Sequence, residues 1–178
     1  MTTPTRVSLR ELNHFDQDAF VVALGHLFEG PPWIVREAWA ARPFRSRDQL
    51  HAALCAIMYA AAQERQIALL RAHPDLVGRA ALAGTLSAAS THEQAAAGLD
   101  RLTPGEIATF NRLNATYQAR FGFPFVICAR ENKKESILAG FATRLRNARE
   151  QEIAIALGEV AKICRLRLRD TVRDERCG

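Results

Sequence analysis

What this sequence has little of narrows its reading first. No uncharged apolar stretch approaches the roughly 20 residues that cross a bilayer, so no membrane partner is expected. The four cysteines, Cys55, Cys128, Cys164 and Cys177, form no CxxC pair and no Cys/His spacing suited to zinc. Three of them lie in apolar surroundings and read as small buried hydrophobes, while Cys177 falls near the end. Aromatic residues are only 7% of the chain, and Val and Ile are sparse beside abundant Ala, which favours helix over strand. There is no internal repeat, biased tract or linker, so residues 1–178 are expected to form a single domain. A chain of this length buries most of its apolar surface without metals or disulfides. The stretch Met1 to Val7 has one Arg and no apolar core, so no secretory signal is expected. The terminal Arg176-Cys177-Gly178 is unlike the Ser-Lys-Leu peroxisomal address, and the expected location is cytoplasmic.

What is present reads as helix almost throughout. Ser8 opens a short helical pattern carrying Phe15, Ala19, Val22, Leu24 and Phe28, which Gly30-Pro31-Pro32 stops. A second helix spans about Trp33 to Ala41. Ser46 is the N-cap of a third, with Leu50, Leu54, Ile57, Met58 and Ala61 at spacings of three and four. The next element must end near Ala72, because the residue before Pro74 disfavours the α region. Ser90 and Glu93 read as the N-cap and N3 of a capping box, with Gly98 closing that helix. Thr103 and Glu106 repeat the device with Pro104 at N1, and Asn147 with Glu150 makes a third. Phe125-Val126-Ile127-Cys128 is the only run that reads as extended. The fold class expected is all-α, with about eight helices and one short extended segment.

Three residues stand where bulk packing does not explain them. On the last helix Ile153, Leu157, Val160, Ile163, Cys164 and Leu168 form one apolar stripe, and Arg167 falls on it while Arg165 and Arg169 face solvent. An inward guanidinium cannot shed its charge, so it needs a carboxylate or another anion. His73 sits in a loop pinned by Pro74 with Asp75 beside it, and histidine is the side chain whose proton affinity suits transfer near neutrality. As punctuation, His-Pro-Asp would simply break a helix. Glu93 is explained by capping, yet a helix start also offers backbone N–H groups to a polar ligand. His14, His26, His51 and His92 lie within helical patterns and are weaker candidates.

Taken together, four ordered stretches resemble the 2-oxo-4-hydroxy-4-carboxy-5-ureidoimidazoline (OHCU) decarboxylases. They are His73-Pro74-Asp75-Leu76, Ser90-Thr91-His92-Glu93-Gln94 with Gly98-Leu99, the run from Phe110 to Val126, and Gly158 to Ile163 followed by Leu166-Arg167-Leu168. The resemblance runs from about Leu70 to Val172 and is looser before that, where Arg42-Pro43-Phe44 matches best. It implies His73, Glu93 and Arg167 as the catalytic set. It implies substrate contacts from Pro74, from Ser90, Thr91, His92, Glu93 and Gln94, and from Phe125, Val126, Ile127, Cys128 and Ala129. It further implies an all-helical homodimer without metal or organic cofactor, acting on a small ureide and yielding (S)-allantoin in urate degradation. The net charge of +5 suits an anionic ligand. It also prompts a competing reading as a helical nucleic-acid-binding or regulatory module, and a family member with drifted ureide specificity is the other alternative. Glu159, Asp170, Asp174 and Glu175 dilute the basic residues, which include Arg173 and Arg176, and no aromatic-plus-basic pattern accompanies them, so no nucleic acid is expected as a partner.

Overall fold

The computed structural model describes residues 6–173, so Asp174, Glu175, Arg176 and Cys177 lie outside the described residues. Ten α-helices occur among them, as an all-α reading requires. The first five are α1 (Leu9–His14), α2 (Gln17–Leu24), α3 (Trp33–Ala38), α4 (Arg47–Ala60) and α5 (Gln63–Arg71). The rest are α6 (Arg79–Leu82), α7 (Ala88–Ala96), α8 (Pro104–Phe121), α9 (Lys134–Arg144) and α10 (Arg149–Thr171). Two short strands, β1 (Val7–Ser8) and β2 (Val172–Arg173), complete the set. No helix among the described residues is long and apolar enough to cross a membrane. The chain divides into two compact units. One holds the described residues up to Gln66 together with those from Ala161 on, and the other is Ile67–Val160.

In the first unit β1 pairs in parallel with β2, Val7 beside Val172 and Ser8 beside Arg173. Ser8 also caps α1, its hydroxyl accepting the Glu11 N–H at 3.1 Å while the Glu11 carboxylate accepts the Ser8 N–H at 2.7 Å. The single pattern expected through Phe28 is broken by Asp16, whose carboxylate accepts the Ala19 N–H at 2.8 Å and starts α2. The restart rotates the inner face to Leu12, Phe20 and Leu24 and leaves Val22 exposed. Ser46 caps α4 as expected, and Leu50, Leu54 and Met58 are fully buried along it, with α3 packed alongside. Fully burying a side chain of that size contributes about 1.5–3 kcal/mol.

The second unit is organised around aromatic rings. Phe110, Tyr117 and Phe121 line the inner face of α8 and meet Phe123, Phe125 and Phe141, with Phe125 stacked on Phe141 at 3.8 Å between centroids. Gly122, at φ +81, ends α8 in the left-handed conformation that glycine adopts without a Cβ clash, turning the chain into the Phe125–Cys128 run. That run pairs with no strand among the described residues and leads into a single 3-10 turn, Ala129–Glu131. Two capping expectations shift. Helix α7 starts three residues earlier than expected, with Ser87 at its N-cap accepting the Ser90 N–H at 3.1 Å, so Ser90 and Glu93 lie inside the helix. At the start of α10, Asn147 donates to Glu152 at 2.9 Å, and Gln151, not Glu150, reaches back to the Ala148 N–H at 3.3 Å.

Candidate active site

Helix α5 stops where Pro74 demands, and the loop His73–Gly78 follows. His73 is buried, and its Nδ1 lies 2.9 Å from the Leu69 carbonyl. A carbonyl can only accept, so Nδ1 carries the hydrogen and the lone pair of the neutral ring falls on Nε2. The loop is held from several sides. Gln94 accepts the Val77 N–H at 3.0 Å and donates to the Asp75 carbonyl at 3.4 Å, while Asn114 donates to the Leu76 carbonyl at 2.8 Å. Val77 adopts φ +55, a conformation in which a β-branched residue costs about 1–3 kcal/mol and persists only where surrounding bonds over-determine it. A Cβ on Gly78 would stand 2.5 Å from that of Asp75, so only glycine fits there. Gln118 donates to the Asp75 carboxylate at 2.9 Å, although burial pushes the Asp75 carboxyl above its ordinary range. A cavity of about 370 Å³ opens beside His73, lined also by Arg71, Pro74, Asp75, Arg79 and Gln118.

Moving Glu93 off the N3 position removes the capping explanation for its carboxylate. It is buried in α7, as are Ser90 and Gln94, while Thr91 and His92 are exposed. Helix α7 packs on the 3-10 turn at Ala129–Glu131. The Cys128 thiol is pushed up to about 11, first by burial and then by the nearby carboxylates, Glu131, Glu159 and Glu93 among them. A thiol so raised stays protonated near neutrality. Within the second unit, Gln94 thus ties α7 to the loop that carries His73, and α7 also packs on the turn that opens at Ala129, while the cavity beside His73 is lined by neither Glu93 nor the Phe125–Ala129 segment.

Arg167 belongs to the first unit and is buried there, as the apolar stripe predicts. Its Nη2 lies 3.0 Å from a Glu29 carboxylate oxygen, and its Nη1 donates to the His26 carbonyl at 3.1 Å. His26 is itself exposed, and its Nε2 lies 2.8 Å from the Thr171 hydroxyl. Desolvation of the ring first, and then the Arg167 charge, lower its proton affinity. Two charged residues of comparable burial were not singled out from the sequence. Arg144 meets Glu152 at 2.5 Å and Tyr117 donates to the same carboxylate oxygen. Among the described residues no group of three or more His, Cys, Asp or Glu side chains is arranged to hold a metal ion.

The family model for OHCU decarboxylase matches residues 13–169. The chain belongs to the OHCU decarboxylase family. It is 42% identical over 167 residues to the 2-oxo-4-hydroxy-4-carboxy-5-ureidoimidazoline decarboxylase of Amia calva, covering 94% of this chain and 95% of that protein. It is 39% identical over 166 residues to the enzyme of that name from Halalkalicoccus jeotgali, covering 93% and 92%. Among solved structures, that of an (S)-allantoin synthase is similar with a TM-score of 0.74 at 28% identity, covering 94% of this chain and 54% of that one. The matched residues extend over both units and include His73, Glu93 and Arg167.

Proposed function

We infer that this chain is a carboxy-lyase that converts OHCU to (S)-allantoin in urate degradation. The observation that carries this reading is the family match over residues 13–169, a span that includes His73, Glu93, the Phe125–Ala129 segment and Arg167. The substrate is a small ureide whose carboxylated carbon also bears a hydroxyl and adjoins a ring C=N bond. When the bond to CO2 breaks, its electron pair moves into that C=N bond, and the nitrogen takes a proton. The hydroxyl-bearing carbon then becomes a carbonyl as its ring neighbour is protonated on one face, so the net change is loss of CO2 and uptake of one proton. An electron sink is commonly lent by a cofactor. Here the substrate supplies its own, and a cofactor-free reaction is proposed.

His73, with Nδ1 fixed on the Leu69 carbonyl, is assigned to the hydroxyl and carboxylate through Nε2, turning the carboxylate out of the ring plane and assisting proton transfer. Glu93 is assigned to the ring or ureido N–H groups, and Arg167 to a substrate oxygen that gains charge as the bond breaks. Pro74, the Ser90–Gln94 segment and the Phe125–Ala129 segment complete the contacts carried over from the resemblance. Both ends of the Gln94 amide already serve the His73 loop, so its contribution includes holding that loop. The test is His73→Asn and Glu93→Gln, following OHCU decay and the optical activity of the allantoin formed as separate signals. His73→Asn is expected to lose about 10²–10⁴-fold in rate over the spontaneous reaction. Turnover at the parental rate would overturn the assignment. We further propose that the chain works as one domain and as a cytoplasmic homodimer, the last to be checked by sedimentation.

A further inference from the structure

The Phe125–Cys128 run has no neighbouring strand among the described residues, yet its backbone is held by charged side chains. Arg144 Nη1 donates to the Val126 carbonyl at 2.7 Å, and the Glu159 carboxylate accepts the Cys128 N–H at 2.8 Å. Arg144 is itself fixed by Glu152 at 2.5 Å. Glu152 and Glu159 stand seven residues apart on α10 and so share one face of it. The Val126 carbonyl is therefore held from the end of α9 and the Cys128 N–H from α10. Ile127 lies between them, half-buried, and neither of its backbone polar groups has a hydrogen-bond partner among the described residues. In extended backbone, the class to which Cys128 belongs, successive residues turn their polar groups to opposite sides. The Ile127 N–H and C=O, between the two fastened groups, thus face the opposite way from them.

We propose that Glu159 and the Arg144–Glu152 pair are positioning residues that replace a missing neighbour strand. They hold the segment by one edge so that Ile127 presents a donor and an acceptor, side by side, to the adjoining C=O and N–H of the ureide. This rests on the reading that the segment contacts substrate. Packing alone gives no reason for the arrangement, because a buried ion pair stabilises a fold no better than apolar residues of similar volume. Hydrogen bonds to charged groups are roughly twice as strong as those between neutral amides, and that stiffness suits a template for a flat ligand.

The experiment compares Glu159→Gln, which keeps an acceptor at the same reach, with Glu159→Leu, which removes it. Both are assayed for kcat and KM well below their melting temperatures, with hydrogen exchange at Cys128 as a second readout. Glu159→Leu is expected to lose about 10–100-fold in kcat/KM, mostly through KM, with faster exchange at Cys128. Glu159→Gln is expected to stay within about threefold of the parent, since an amide oxygen still accepts. A purely structural role would lower the melting temperature without this split or its rescue. If Glu159→Leu does not fold, Glu159→Asp makes the same comparison, because its shorter side chain withdraws the acceptor while keeping the charge. Parental kcat/KM in Leu or Asp overturns the proposal. If His73→Asn is also fully active, the functional reading beneath it falls as well.

Discussion

Each arginine that a helix turns inward here meets a carboxylate, and the two cases differ in how that carboxylate is supplied. Arg167 takes Glu29 from a turn 138 residues away, whereas Arg144 takes Glu152, eight residues on. Replacing Glu29 by Gln leaves the Arg167 charge buried with a neutral partner. The expected loss is about 1–3 kcal/mol in urea unfolding. No loss would mean that the pair contributes nothing. At this scale the sequence was legible by one rule, that a charge on an apolar stripe needs a partner. The rule found Arg167, and it applies equally to Arg144, which follows Ile137 and Phe141, and to Glu152, which precedes Ala156 and Val160 on one face. Which carboxylate answers which arginine could not be read, because that depends on tertiary approach. Val77 was equally hidden, since nothing local marks a valine for positive φ.

Among the elements, helix α7 shows how a local signal can be right in kind and wrong in place. Two serines stand three residues apart, and Ser90 with Glu93 satisfies the capping-box pattern that Ser87 with Ser90 does not. The structure places the cap at Ser87, and Glu93 and Gln94 are turned inward from the helix, where Gln94 reaches the His73 loop. Removing that cap with Ser87→Ala is expected to cost about 1 kcal/mol by urea denaturation. A variant as stable as its parent would return the helix start to Ser90. The other caps, Ser8, Ser46 and Thr103, fell where the sequence placed them, each immediately before a periodic apolar run. Asp16 was passed over because the apolar spacing continued across it.

Over the whole molecule, helical periodicity made the fold class readable and left the partition unreadable, since the boundary between the two units falls inside α5 and α10 rather than in a loop. Global stability carries a pH signature from one contact in the second unit. Lys134 lies 2.6 Å from Glu106, and with the Thr103 backbone N–H it draws the Glu106 carboxyl down to about 2. A carboxyl depressed in the folded state binds its proton first in the unfolded chain. Its contribution is therefore present above about 4.5 and is lost as pH falls toward 2. Lys134→Met should flatten that acid limb in a melting series across those pH values, and an unchanged slope would assign the limb elsewhere. The parallel pair of β1 and β2 has a mechanical consequence. Because the chain enters along one strand and leaves along its parallel neighbour, traction applied to the two ends loads their rungs in shear, all at once, rather than unzipping them singly.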